Sequence, residues 1–102
     1  MIIEITTYKP ADGVTHDELV SASKDFDKTY CARCKGLIRR NFVKTDEGYM
    51  DIFLWESMAD VEHVQATFMQ DEDALAFAKH LNPETLTMNN YESLDVFEPL
   101  KI

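Results

Sequence analysis

Positive charge is scarce in this 102-residue chain: ten Lys and Arg stand against nineteen Asp and Glu, for a formal net charge of −9. Phosphate backbones are held by clustered cations, and only Arg39-Arg40 and the Arg33/Lys35 pair approach a cluster, so no nucleic-acid partner is expected. The same acidity disfavours an anionic membrane surface and keeps a small protein soluble. Long apolar runs are missing too, since none reaches the roughly 20 residues that span a bilayer. The opening residues carry no basic segment leading into an apolar stretch, so no secretion signal is expected and the location reads as cytoplasmic. Cysteine is limited to Cys31 and Cys34. A zinc site would need two further ligands, and no second CxxC or HxxxH exists, so no metal is expected. An activated redox thiol sits at a helix N-terminus, whereas this pair falls at the C-terminal end of the first predicted helix, where the dipole opposes ionisation. Two ordinary, dispensable thiols are the expectation, with an oxidation-sensitive pair as the alternative.

What is present is one domain, residues 1–102, with a hydrophobic content of 45% that excludes disorder. Runs at Ile2–Tyr8, Leu37–Lys44, Tyr49–Glu56 and Tyr91–Glu98 alternate with the period of two that marks strands. In the third run one parity is aliphatic (Met50, Ile52, Leu54). The other is aromatic with one carboxylate (Tyr49, Asp51, Phe53, Trp55). Thr15 and Glu18 form a capping box opening a helix with Leu19, Ala22, Phe26 and Tyr30 on one side. Ser57 caps a second helix (Val61, Val64, Phe68), and Asp71 caps a further segment (Ala74, Phe77, Ala78, Leu81) that ends before Asn82-Pro83. The order β-α-β-β-α-α-β implies an α+β, ferredoxin-like antiparallel sheet with helices on one face. Both sheet faces read as apolar, and the helices suffice for one, so a second copy should cover the other. The aromatic face is assigned to that homodimer interface, and Leu94 and Val96 of the last strand to the helices.

For the hairpin, Asp46-Glu47-Gly48 fits a three-residue loop with Gly48 left-handed. That register pairs Val43 with Asp51, Asn41 with Phe53 and Arg39 with Trp55, placing Arg39 and Asn41 on the aromatic face. A four-residue loop would place Arg40 there instead.

The segments Lys35-Gly-Leu-Ile-Arg-Arg40 and Gly48-Tyr-Met-Asp-Ile-Phe-Leu-Trp-Glu-Ser57 resemble the dimeric α/β-barrel superfamily, which includes antibiotic-biosynthesis-type monooxygenases. In the second segment a Trp-Glu-Ser closes a strand and opens the next helical layer. The resemblance covers nearly the whole chain in element order and implies a dimeric α/β barrel. Heme-degrading relatives use a His in the second helical layer, an Asn on the first strand and a helical Trp. Here His80 lies near the His position, but Thr6, Thr7 and Val64 stand where the Asn and Trp would be, so heme is not expected.

Asp51 is the first candidate for chemistry. A carboxylate among aromatics in mid-strand is costly unless paired or solvated, and desolvation makes it a stronger base; the structural alternative is a salt bridge. Trp55, Phe53, Tyr49 and Phe97 could wall a planar ligand or fill a dry interface. Tyr8, Arg39 and Asn41 join the ligand-binding set, with Glu4, Asp95 and Tyr91 as weaker members. His80 is the second catalytic candidate, and helix capping is its plainer reading. The expected function is small-molecule binding in a homodimer, by a monooxygenase-like enzyme without cofactor acting on an aromatic or electron-rich organic substrate. The alternative is a non-enzymatic metabolite-binding or interaction dimer.

Overall fold

The computed structural model describes residues 1–100. Its strands are β1 (Ile2–Tyr8), β2 (Leu37–Lys44), β3 (Tyr49–Trp55) and β4 (Thr87–Glu92), and its helices α1 (His16–Thr29), α2 (Met58–Thr67) and α3 (Glu72–Ala78). Single 3₁₀ turns follow α1 at Cys31–Arg33 and α2 at Phe68–Gln70, and another precedes β4 at Pro83–Thr85. The sheet is antiparallel throughout, in the order β2-β3-β1-β4. That is the ferredoxin-like arrangement expected from the element order.

Local chemistry explains the helix starts. Thr15 and Glu18 cap each other reciprocally, with Glu18 N to Thr15 Oγ1 at 3.1 Å and Thr15 N to Glu18 Oε1 at 3.0 Å. The Ser57 hydroxyl accepts from Asp60 N, and the Asp71 carboxylate accepts from Asp73 N and Ala74 N. Each cap satisfies amides that lack an intrahelical partner. Arg33 reaches from the turn after α1 to Asp71 at 2.8 Å and Asp73 at 3.0 Å, tying that turn to the start of α3.

The hairpin corrects the expected register. Lys44 pairs with Tyr49 across a four-residue loop, so Phe42 lies opposite Asp51 and Arg40 opposite Phe53. Gly48 is not left-handed. It is required for a different reason, because a Cβ there would collide with the Tyr8 carbonyl oxygen. The four-residue loop puts Arg39 opposite Leu54 and Asn41 opposite Ile52, so both face away from Asp51 and are exposed; a bulge between Leu37 and Arg39 absorbs one further residue. The last strand also differs, ending at Glu92. Leu94, Val96 and Phe97 lie beyond it and are exposed, so neither Leu94 and Val96 nor Phe97 occupies the sheet position expected for it.

The two sheet faces are reversed relative to expectation. The parity of Glu4, Thr6, Tyr8, Tyr49, Asp51 and Trp55 is the buried one, and it is this aromatic, acidic face that the helices cover. Phe26 of α1, Tyr30 at its C-cap and Phe77 of α3 meet it, with Phe26 and Phe77 stacked at 4.4 Å between ring centroids and Tyr8 edge-on to Phe77 at 6.3 Å. The aliphatic face, Ile3, Ile5, Met50, Ile52, Leu54 and Val43, is uncovered by any helix and only half-buried. Alternation distinguishes two faces but carries no handedness. The right-handed preference of β-α-β crossovers selects the face that receives the helices.

Candidate functional site

Between the aromatic sheet face and the helices lies a cavity of about 1050 Å³. Its floor is Glu4 and Thr6 of β1 with Asp51, Phe53 and Trp55 of β3; its walls include Phe26, Tyr30, Phe68 and Phe77. Cys31 and Cys34 are also on the wall, and Gln65, Lys79, Met69 and Met88 add further polar and sulfur-bearing groups. The Met88 sulfur accepts from Gln65 Nε2 at 3.3 Å, linking α2 to β4.

Two buried carboxyls share the floor in different settings. Asp51 accepts from Arg40 Nη2 at 2.8 Å, with both side chains only 4% exposed. Arg40 Nη1 donates to Ser23 Oγ at 2.7 Å and Asp27 Oδ1 at 2.8 Å, and the guanidinium sits among the rings of Phe26, Phe42, Phe53 and Phe77. Burial works to discharge Arg40, but Asp51 and Asp27 outweigh it and keep the cation charged. Burial also pushes the Asp51 carboxyl up to about 6, against the pull of Arg40. Glu4, 5% exposed, accepts from Trp55 Nε1 at 3.0 Å. Burial raises its pKa, and the indole N–H and nearby Gln65 oppose the rise. The thiols are pushed the same way, Cys31 to about 12, because desolvation disfavours the thiolate. Such thiols are poor nucleophiles, in keeping with the non-catalytic reading of the motif.

Of the residues singled out from the sequence, Asp51, Phe53 and Trp55 meet at the cavity. Tyr49 is buried in the core beside it, its hydroxyl 2.8 Å from His16 Nδ1 and its ring stacked on Phe42 at 5.5 Å. Tyr8 is buried there too; its hydroxyl lies near the Asp51 carboxylate but has no partner within hydrogen-bond geometry among the described residues, and burial and that charge both raise its pKa. Arg39 and Asn41 are on the opposite sheet face, and Phe97 is 80% exposed beyond β4. His80 turns away: its Nδ1 is 3.0 Å from the Ala76 carbonyl, and the ring borders a shallow surface groove with Asp17, Glu18 and Asp25. The side chains that the first-choice set omitted are Arg40, Glu4 and the two cysteines. The four-residue loop would have brought in Arg40. Glu4 carried the same signal as Asp51, a carboxylate inside an apolar strand at the parity of the aromatics.

The comparisons bear on this geometry. No protein-family profile matches the chain, and no curated protein matches it in sequence. Solved structures do match over nearly its whole length. The fold is similar to SnoaB, a cofactor-independent oxygenase from Streptomyces nogalater, with a TM-score of 0.72 and 14% identity over 96% of this chain and 97% of that one. It is similar to an antibiotic biosynthesis monooxygenase at a TM-score of 0.69 and 10% identity, over 93% of this chain and 100% of that one. A dimeric ferredoxin-like protein of unknown function from Bacteroides fragilis matches at 0.59 and 12% identity, over 90% and 95%. The chain has the antibiotic-biosynthesis-monooxygenase-like fold. Identities this low speak for the ferredoxin-like architecture and leave activity to be argued from the site. Among the described residues, no helix is long and apolar enough to cross a membrane.

Proposed function

We propose that the protein is a homodimeric small-molecule enzyme of monooxygenase-like type, acting without cofactor on an aromatic or electron-rich organic substrate. The cavity carries this reading: about 1050 Å³ of mostly apolar, aromatic-walled space with two buried carboxyls on its floor. Pockets of this kind hold an apolar ligand by burial and orient it by a few polar groups. Trp55 and Phe53 present ring surface to a planar molecule, and Asp51, held by Arg40, gives a polar corner beside them. Ionisation of the bound substrate in this dry space would make it electron-rich enough to react with oxygen.

The homodimer follows from the other sheet face. Ile3, Ile5, Met50, Ile52 and Leu54 form a contiguous apolar surface that a monomer leaves in water. A two-fold pairing of these faces buries them and leaves each cavity within its own protomer. Dimeric assembly of the similar Bacteroides fragilis protein supports the same arrangement.

The test combines ligand and oxygen. A panel of polycyclic phenols and ketones is screened by thermal shift, since a ligand bound only by the folded state raises stability by mass action. Compounds that bind are then followed in an oxygen electrode, with and without a chelator. Chelator-insensitive oxygen uptake, lost on Phe53→Asp, is the expected result. Binding with no uptake from any compound would favour the metabolite-binding alternative.

A further inference from the structure

We propose that Glu4 is the proton acceptor of the cavity, taking a proton from an acidic C–H or O–H of the bound organic molecule; this rests on the reading of the cavity as a ligand site. Glu4 lies in mid-strand on β1, 5% exposed, with its side chain on the cavity floor. Its Oε1 is fixed by the Trp55 indole N–H at 3.0 Å, and the Gln65 side-chain amide is the second neutral donor beside the carboxylate. No Lys, Arg or His nitrogen stands within 4.0 Å of it among those residues, whereas Arg40 contacts Asp51 at 2.8 Å. A guanidinium at 2.8 Å occupies the lone pairs of Asp51 and competes with a ligand for them, whereas Glu4 meets only neutral donors. The two carboxyls therefore divide the work. Asp51 with Arg40, Asp27 and Ser23 fastens β3 to β2 and α1, and Glu4 is left available to a ligand.

The step is a single proton transfer. The ligand's C–H or O–H bond breaks, the proton moves to Glu4 Oε2, and the electron pair stays on the ligand as an enolate or phenolate. The negative charge passes from Glu4 to the ligand, so the cavity's net charge is unchanged and no oxidant takes part. Thr6 and Gln65, both on the cavity lining, are the uncharged donors available to the new anion. Burial raises the Glu4 pKa above its ordinary value, the direction that strengthens a carboxylate as a base. The other titratable groups facing the cavity are Asp51, Tyr30, Cys31, Cys34 and Lys79.

A carbon acid makes the step measurable. 2-Tetralone, an aromatic ketone with an acidic benzylic C–H beside its carbonyl, is added to the protein in deuterated buffer and its exchange is followed by NMR. Binding is read separately from the fluorescence of Trp55, the single tryptophan. The wild type should bind the ketone and speed exchange, the rate rising with one ionisation. Glu4→Gln keeps an acceptor for the indole and should bind within about threefold, with exchange at least about 100-fold slower. Glu4→Asp, which keeps the charge but withdraws it by one methylene, should retain the pH profile at a rate about tenfold lower, and it carries the test if Glu4→Gln fails to fold. Binding with no acceleration by the wild type, or undiminished exchange in both variants, overturns Glu4 as the base while sparing the cavity. Borohydride trapping of a ketone adduct on Lys79 also overturns it, by showing an imine route. Absence of 2-tetralone binding by the wild type overturns the cavity reading, and this proposal with it.

Discussion

The two faces of the sheet are both apolar, yet they differ in kind. The covered face combines aromatic rings with Glu4, Thr6, Asp51 and Arg40, all buried, and leaves a large cavity beneath the helices. The open face is built of Ile3, Ile5, Met50, Ile52 and Leu54, with Arg39 and Asn41 at its β2 edge. Polar groups concentrate where water is excluded, and aliphatic groups where water would otherwise reach. Stability alone would favour the reverse, because buried charges return little energy after desolvation. Such a distribution suits a face that works on a ligand and a face that only needs to be covered.

Four experiments sharpen the contrast. The largest effect is expected from Ile52→Lys at the centre of the open face. A two-fold interface would then hold two ammonium groups against apolar surface, weakening the dimer by roughly a thousandfold or more. Sedimentation at micromolar concentration should show the 11.8 kDa chain for the variant and twice that mass for the wild type. A wild type that sediments as a monomer would remove the assigned role of this face.

Arg40→Met attacks the covered face. It strands Asp51 without its cation in a site where both side chains are 4% exposed, at a cost of about 3–5 kcal/mol in denaturant unfolding. A loss below about 1 kcal/mol would mean that the pair is solvated and the floor open to water.

Asp51→Asn should cost much less than Arg40→Met near neutral pH, because Asp27 and Ser23 still hold the guanidinium and the buried charge on Asp51 is itself disfavoured. Its clearer signature is in pH. The folded-state pKa of Asp51, near 6, lies above its ordinary value of 3.8. The folded chain thus binds the extra proton, and this group's stabilisation is present below about pH 4 and lost as pH rises through 6. Unfolding free energies measured from pH 4 to 7 should fall less steeply in the variant. An unchanged slope would assign the titration elsewhere, with Glu4 the next group to test since its pKa is also raised.

The smallest structural effect is expected at Cys31 and Cys34. Replacing both by Ser should leave dimerisation and ligand binding largely intact. Before replacement, thiol-reagent labelling at pH 7 should run at least about tenfold slower than for free cysteine and quicken at higher pH, since burial holds Cys31 protonated up to about 12. Rapid labelling of the folded protein would reveal an activated thiol and reopen a redox role.

How much of this was legible beforehand follows from the range of the forces involved. The capping box at Thr15 and Glu18, the caps at Ser57 and Asp71 and the period-two strands through Trp55 depend on neighbours within a few residues, and the chain spells them out. So does the conflict posed by a carboxylate between aromatics, which marked Asp51. Hairpin register was legible only as two alternatives, since loops of three and four residues both fit Asp46-Glu47-Gly48. The choice shows only in the pairing between strands, Lys44 with Tyr49, and in the bulge after Leu37 that accompanies it. The end of the chain misled because Tyr91–Glu98 alternates convincingly, whereas pairing with β1 stops at Glu92 opposite Ile2, where β1 itself begins.

By itself, then, the sequence determined the element order, the helix starts, the two-faced sheet and the presence of a buried acid. Only the tertiary structure decided which face the helices cover, that Arg40 rather than Arg39 meets Asp51, that His80 and Phe97 stand apart, and that Glu4 shares the cavity. Periodicity is a scalar property of a strand: it separates two sides without naming them. Handedness, register and the meeting of residues 51 positions apart, such as Glu4 and Trp55, exist only once the chain has closed on itself.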